Sequence, residues 1–150
     1  MNAKKRQRII EGAGPYVGDE EVLAAFVAQA RGRTTAMAGA GEPIAREIGH
    51  HKVRRQQAAA GAAGIRIEGV MAFVLTPTRL LVLGLGGMRQ DVKDELAAVP
   101  VHDITSLSSK RVGLGHRITL EVTGQEILLE GQSGGDVKEL AAALETAKMA

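Results

Sequence analysis

Four basic side chains flank a short glycine turn in the second half of the chain. Lys110 and Arg111 precede the Gly-Leu-Gly segment 113–115, and His116 and Arg117 follow it. If the two flanks pair as a hairpin, all four groups gather at its mouth, where glycine N–H groups can help to hold a phosphate or carboxylate. The same pattern is typical of a hairpin end that only confers solubility, and this alternative stays open.

A second basic group lies earlier, in a segment that begins like a helix. Pro43 suits the first turn of a helix, and residues 44–63 contain no further proline. The apolar stripe of this segment is thin, so we expect the helix to lie on the surface or to contact a partner. Its basic residues, taken as candidate binding residues, are Arg46, Lys52, Arg54 and Arg55.

No pattern in the chain indicates catalysis. Cysteine is absent, there is no Gly-x-Ser-x-Gly segment, and the glycine-rich residues 84–87 lack the Gly-Lys-Ser/Thr of a phosphate loop. His50 and His51 are adjacent and point to different sides of a helix, while His102 and His116 fall in separate predicted strands. We therefore predict no enzymatic activity, no metal site and no cofactor.

Length and composition indicate one domain with an aliphatic core. The chain has 150 residues, of which 45% are apolar and 2% aromatic. It shows neither a secretory signal nor a run of ~20 apolar residues, so we expect a cytoplasmic protein, with peripheral membrane attachment as an option. Residues 1–66 hold 11 Lys/Arg against 6 Asp/Glu. Since Tyr16 is the only aromatic residue near the basic N-terminus, nucleic acid is disfavoured as a partner.

The first third of the chain divides into an arm and a candidate strand. Residues 1–18 are basic and contain glycine and proline, which predicts a flexible N-terminal arm ahead of a single domain at 19–150. Residues 22–30 are apolar on every side and suit either a helix or a buried strand. We interpret them as a strand, because the later sheet needs a partner.

A hairpin is predicted at the centre of the sheet. Residues 65–75 and 80–85 are its two strands. The apolar runs 70–75 and 80–85 flank Thr-Pro-Thr-Arg at 76–79, where proline suits a turn and not a central strand. Residues 91–98 are expected to hold one helical turn or a loop. Residues 99–112 are expected to be extended.

The last third of the chain predicts a meander followed by a helix. Residues 118–122 alternate apolar and polar side chains, and a glycine turn at 124–125 leads into a returning strand at 126–130. The apolar residues that follow have the i, i+3, i+4, i+7 spacing of an amphipathic helix with Asp136 as its N-cap, and are Val137, Leu140, Ala141 and Leu144. Such a helix must cover an open face or end of the sheet.

Three segments of this chain resemble the bacterial pleckstrin-homology-like domains. They are LTPTRLLV at 75–82, VPVHDITSL at 99–107, and the strand, hairpin and helix at 118–147. FVAQ at 26–29 is similar to the first strand of some actinobacterial members. The family usually has Asp-Arg where this chain has Pro-Thr at 77–78.

The resemblance implies an α+β, mainly β fold. This fold is a partly open barrel of about seven antiparallel strands, capped by a C-terminal helix, with residues 32–64 as a helical insertion between the first two strands. The family carries no single function. We expect a non-enzymatic interaction module that binds a protein or peptide partner, a homo-oligomer being one form of this. The alternatives are a peripheral membrane binder that recognises anionic lipid headgroups and, least favoured, an enzyme of unidentified type.

Overall fold

The computed structural model describes residues 1–31 and 43–150, without the side chains of 43–50 and 52. The insertion residues 32–42 lie outside this description. In chain order the elements are α1 (Ala3–Val17), β1 (Ala24–Ala30), α2 (Pro43–Ala62), β2 (Val70–Leu75), β3 (Arg79–Gly86), β4 (Asp91–Pro100), a 3₁₀ turn (Val101–Asp103), β5 (Ile104–Val112), β6 (Gly115–Val122), β7 (Gln125–Gly131) and α3 (Gly134–Lys148).

The strands form one antiparallel sheet in the order β4-β3-β2-β1-β7-β6-β5. Two meanders, β1 to β4 and β5 to β7, meet where β1 pairs with β7, so β1 and not the β2–β3 hairpin is the central strand. The C-terminal helix packs against both β1 and β5, strands three places apart, which requires the sheet to curve around it. The predicted pleckstrin-homology-like architecture is confirmed: seven antiparallel strands in an open sheet, a C-terminal helix, and a helix between the first two strands.

The strands β1, β2 and β3 are apolar on both faces. On the inner face, which carries α3, Phe26 and Phe73 are paired across the strands and stack with ring centroids 4.7 Å apart. On the outer face, Ala72 and Leu81 belong to a second cluster that includes residues of α1. Strands buried on both faces need a covering layer on each side. The two helices supply these layers.

The C-terminal helix covers the inner face as its sequence pattern predicts. Val137, Leu140 and Leu144 are all buried in the inner cluster. The predicted N-cap is wrong, because the hydroxyl of Ser133 accepts a hydrogen bond from the Asp136 amide and caps the helix. Asp136 lies in the first turn, where a carboxylate suits the positive end of the helix dipole.

The prediction of a flexible arm at 1–18 is wrong. Residues 3–17 form α1, which packs on the outer face of the sheet through Ile9, Ala13 and Val17. These residues are spaced i, i+4, i+8 and share one helix face. The Asn2 side chain caps the start of α1 by accepting from the Lys5 amide.

Arg79 connects the end of α1 to the β2–β3 hairpin. A terminal guanidinium nitrogen donates to the Tyr16 carbonyl at 2.8 Å, and the Arg79 Nε donates to Glu20 Oε1 at 3.1 Å. Glu20 Oε2 accepts from the Thr78 hydroxyl at 2.6 Å. The guanidinium thus satisfies a carbonyl that the last turn of α1 leaves without an intrahelical partner.

Two further expectations differ from the structure between β3 and β5. Residues 91–98 were expected to be a helical turn or loop, but they form most of β4. Two register shifts in the β3–β4 pairing disturb the simple alternation of inward and outward side chains, which explains the weak strand pattern. The predicted extended segment 99–112 is interrupted by the 3₁₀ turn, so β5 begins at Ile104.

The insertion helix α2 completes the junction between β1 and β7. Among the described residues, these strands pair at Gln29 with Glu130 and at Ala30 with Leu129, and the Arg31 amide donates to the Leu128 carbonyl at 3.1 Å. The first residues of β7 extend past the end of β1. There Gln56 of α2 accepts a hydrogen bond from the Leu128 amide at 3.0 Å. Ala60 of α2 is buried in the inner cluster. The C-terminal half of the insertion is therefore part of the core.

Replacing Ile9 by alanine tests the docking of α1. Ile9 is fully buried, so we expect Ile9→Ala to lower the free energy of unfolding by about 2–5 kcal/mol. Lys4→Ala, on the exposed side of the same helix, is the matched control and should change it by less than about 0.5 kcal/mol. Denaturant unfolding measures both. Equal stability of the two variants would contradict the packing of α1.

Acidification tests the Glu20 contacts. The Thr78 hydroxyl, followed by Arg79, lowers the pKa of Glu20 below its usual value, against the opposing effect of burial. A lowered folded-state pKa gives stability that is present above the unfolded-state pKa and lost as the pH falls through the folded-state pKa. Glu20→Gln should therefore destabilise the protein at neutral pH, and the difference should shrink on acidification. Glu21→Gln, at an exposed position, is the control, and a pH-independent difference for Glu20→Gln would disprove the linkage.

Candidate functional site

The predicted hairpin places its four basic residues opposite one another in two pairs. Lys110 pairs with Arg117, Arg111 pairs with His116, and Val112 pairs with Gly115 across β5 and β6. The two turn residues are Gly113, which has a φ of 61°, and Leu114. A positive φ at the first central position alone is the pattern of a type II′ turn, which explains the glycine.

The pairing divides the four side chains between two faces of the sheet. Directly opposed residues share a face, and successive residues alternate. His116 and Arg111 are therefore on the inner face with the buried Ile118, whereas Lys110 and Arg117 are on the outer face. The hairpin end thus carries one basic pair on each side and no single four-residue cage.

His116 is held by the start of α3. A Cβ added to Gly134 would overlap the imidazole ring, so glycine is needed for this close approach. His116 is half-buried as a result. This contact gives His116 a structural role in positioning the hairpin end against α3.

The remaining three cations are exposed. Lys110, Arg111 and Arg117 make no salt bridge with any other residue that the structure describes. The Arg111 Nε donates to the Gly113 carbonyl at 3.4 Å, within its own hairpin. Arg117 lies directly opposite Glu130 in the β6–β7 pairing, whereas Lys110 and Arg111 have no acidic residue opposite them in β6.

Arg31 adds a cation that the sequence patterns did not single out. It follows β1 directly, and a terminal nitrogen donates to the Ile118 carbonyl at 3.3 Å. Burial, and then the charge of Arg117, lower the pKa of Arg31. A charged residue placed at the end of an apolar strand was the available signal, but only the β1–β7 pairing brings it close to β6.

An apolar tip projects between these charges. The side chain of Leu114 is 98% exposed and that of Val112 is 41% exposed. Exposed large apolar residues are informative when they stand together at the end of an element. The hairpin end, defined as Lys110 to Arg117, therefore combines an apolar tip with cationic flanks.

Two clefts meet beside the hairpin end. A cleft of about 490 Å³ lies between the start of α1 and the start of α3, and another of about 410 Å³ lies against Val112, Leu114 and His116. They share a floor of Gln29, Glu130, Gly131 and Gln132. A Cβ at Gly131 would lie 2.9 Å from the Val27 carbonyl oxygen, so glycine lets β1 cross β7 at this point.

The second predicted basic group lies on α2. Arg54 and Arg55 are exposed on this helix, which packs beside β7. The side chains of Arg46 and Lys52 lie outside the described residues.

In the part of the chain that the structure describes, no three or more His, Asp or Glu side chains are grouped so that they could hold a metal ion. No described helix is long and apolar enough to cross a bilayer.

Comparisons with known proteins find similarity to solved structures alone. No family model matches the chain, and no curated protein matches it. Chains of several solved structures do match it. A pleckstrin homology domain from Shewanella amazonensis SB2B has 19% identity and a TM-score of 0.41, covering 53% of this chain and 68% of its own. A DUF1696 family protein with a pleckstrin-homology domain from Shewanella loihica PV-4 has 16% identity and a TM-score of 0.43, covering 99% and 98%. Because identities and TM-scores are low, neither protein contributes to the argument for function.

Replacing Gly134 tests the position of His116. Alanine at 134 would have to displace the imidazole, so we expect Gly134→Ala to cost about 1–3 kcal/mol despite the higher helix propensity of alanine. Gly135→Ala meets open space and is the matched control. Adding His116→Ala should recover part of the loss, measured as a double-mutant cycle. Additive effects of the two substitutions would show that the residues are not in contact.

Proposed function

We propose that the chain is a non-enzymatic interaction module that binds a protein or peptide partner at its hairpin end. The observation that carries this proposal is the exposed tip residue Leu114 between cations without salt bridges to described residues. An apolar residue at the centre of a patch with polar and charged residues at its rim is the general arrangement of a protein interface. The adjoining groove over Gln29 and Glu130 gives a partner further surface to contact.

A nucleic-acid partner is disfavoured by the aromatic residues. Single strands bind through stacking on exposed aromatic rings as well as through charge. The chain has three aromatic residues, and both phenylalanines, Phe26 and Phe73, are buried in the inner cluster. The third, Tyr16, is half-buried in α1. The basic residues therefore have no stacking platform beside them.

An anionic membrane surface is the second candidate, because the same tip and cations would suit it. Burying one leucine is worth about 1.5–3 kcal/mol, and each cation near an anionic surface adds about 1 kcal/mol. Three cations and one leucine thus reach roughly 4.5–6 kcal/mol, which corresponds to a dissociation constant on the order of 10⁻⁴ M. A partner that also engages the groove or the sheet can exceed this value, which favours a protein or peptide. A cytoplasmic location agrees with either candidate.

Charge reversal at the hairpin end tests whether this surface binds the partner. Lys110→Glu with Arg111→Glu should abolish specific cross-linking of the protein to its partner in an extract of the producing cells, because two attractive charges become repulsive. Arg54→Glu with Arg55→Glu reverses the other described basic pair and is the control. Partner cross-links should be identified by mass spectrometry and mapped to 110–117.

Vesicle sedimentation provides the complementary measurement. The unmodified protein should bind phosphatidylserine-containing vesicles weakly and lose this binding as salt is raised, since exposed charges are screened over ~8 Å at physiological ionic strength. Strong binding to anionic vesicles with no protein cross-links would favour the membrane candidate. Cross-links unaffected by the 110/111 reversal but lost on the 54/55 reversal would move the site to α2.

A further inference from the structure

One edge of the sheet at the hairpin end is unpaired. Within the described residues, β5 pairs with β6 alone. A two-residue turn makes Val112 and Gly115 a hydrogen-bonded pair, and in antiparallel strands such pairs alternate with non-bonded ones. Ser108 and Lys110 therefore direct their backbone groups toward β6. The outward backbone groups belong to Leu107, Ser109 and Arg111.

The other free edge, β4, is less suited to pairing. Its pairing with β3 contains two register shifts and ends at Pro100, features that disfavour the addition of another strand. The only shift in β5 lies near its start, between Ile104 and Ser106. There the Lys148 ammonium donates to the Thr105 carbonyl at 3.4 Å. In the part of the chain that the structure describes, the regular stretch of this edge without a second strand is 106–112.

Side chains along this edge specify what an added strand should carry. On the inner face, Leu107 is largely buried, and the Ser109 hydroxyl oxygen is shielded from solvent with no hydrogen-bond partner among the described residues. Arg111 follows on the same face, and Lys110 lies on the other. Because cross-strand neighbours share a face, a strand beside β5 would meet one cation on each face at consecutive positions.

We propose that the free edge of β5 binds an extended acidic segment of the partner as an additional antiparallel strand. Reading from its N-terminus, this segment places acidic residues opposite Arg111 and Lys110, a small residue opposite Ser109, any residue opposite Ser108, and an apolar residue opposite Leu107. Backbone hydrogen bonds to Leu107, Ser109 and Arg111 supply affinity, and the two charges supply specificity. This inference rests on the proposed function and names the chemistry of its partner.

The test uses the isotope-labelled full chain and three end-blocked peptides. Glu-Asp-Ala-Thr-Leu is the proposed ligand, Gln-Asn-Ala-Thr-Leu its neutral counterpart, and Lys-Lys-Ala-Thr-Leu its reversal. In an NMR titration to millimolar peptide, the acidic peptide should increase hydrogen-exchange protection at the amides of Leu107, Ser109 and Arg111, but not at those of Ser108 and Lys110. The neutral peptide should bind about 2- to 30-fold more weakly, the range expected for two exposed ion pairs.

Two variants make the test specific. Ser109→Pro removes an outward amide and leaves the pairing with β6 intact. It should therefore lower the affinity for the acidic peptide severalfold without lowering the unfolding midpoint of the protein. Lys110→Glu with Arg111→Glu should reverse the preference toward the Lys-Lys peptide. The 54/55 reversal should leave both affinities unchanged.

Different failures have different meanings. Equal binding of acidic and neutral peptides would overturn the charge specificity. Peptide binding could shift the NMR signals of Val112 and Leu114 without protecting the amides of Leu107, Ser109 and Arg111 from exchange. This result would overturn strand addition but leave the hairpin end as the binding surface. No binding of any peptide would overturn this inference, while mapped partner cross-links would still decide the proposed function.

Discussion

The whole arrangement depends on a sheet whose central strands are apolar on both faces. On the inner face, Phe73 and the residues at alternate positions of β2 must be buried by one layer. On the outer face, Ala72 and Val74 must be buried by another. Since apolar surface buried from water stabilises by roughly 25 cal/mol per Å², neither face can be left open without a large loss. The helices α1 and α3 answer this requirement from opposite sides. Arg79 then fixes where α1 must end.

The same constraint decides where binding groups can be. The faces of the central strands are occupied by helices, which leaves the turns and the outer strands for contacts with other molecules. The hairpin end is such a place, because β6 inserts Ile118 into the core while Lys110 and Leu114 remain in solvent. The paired strands β5 and β6 thus hold polar and apolar groups at the periphery of the sheet. Binding residues are commonly placed in this way, on loops and turns that a stable scaffold positions.

Sequence patterns predicted what local spacing determines. The stripe through Leu140 and the cross-strand placement of Arg111 and His116 both follow from short-range periodicity, and both are confirmed. The helix at 3–17 was missed because its buried face has only three strongly buried members and its sequence contains several cations, glycines and a proline. Strands that are apolar on both faces were the stronger indication of this helix, because each face of such a strand must be covered by another layer. The division of the basic residues between two faces could be predicted only with the register of β5 against β6. The partner's identity is not encoded in any local pattern.

The meeting of β1 and β7 has a consequence for the nascent chain. Gln29 and Glu130 are 101 residues apart in sequence, yet they are neighbours in the finished sheet. The meander β1 to β4 can assemble while the rest of the protein is still being synthesised, but its inner face stays bare until β7 and α3 emerge. Long-range closure of this kind slows folding and exposes apolar strands in the meantime. Burial of the inner face of β1 to β3 therefore has to await the synthesis of β7 and α3.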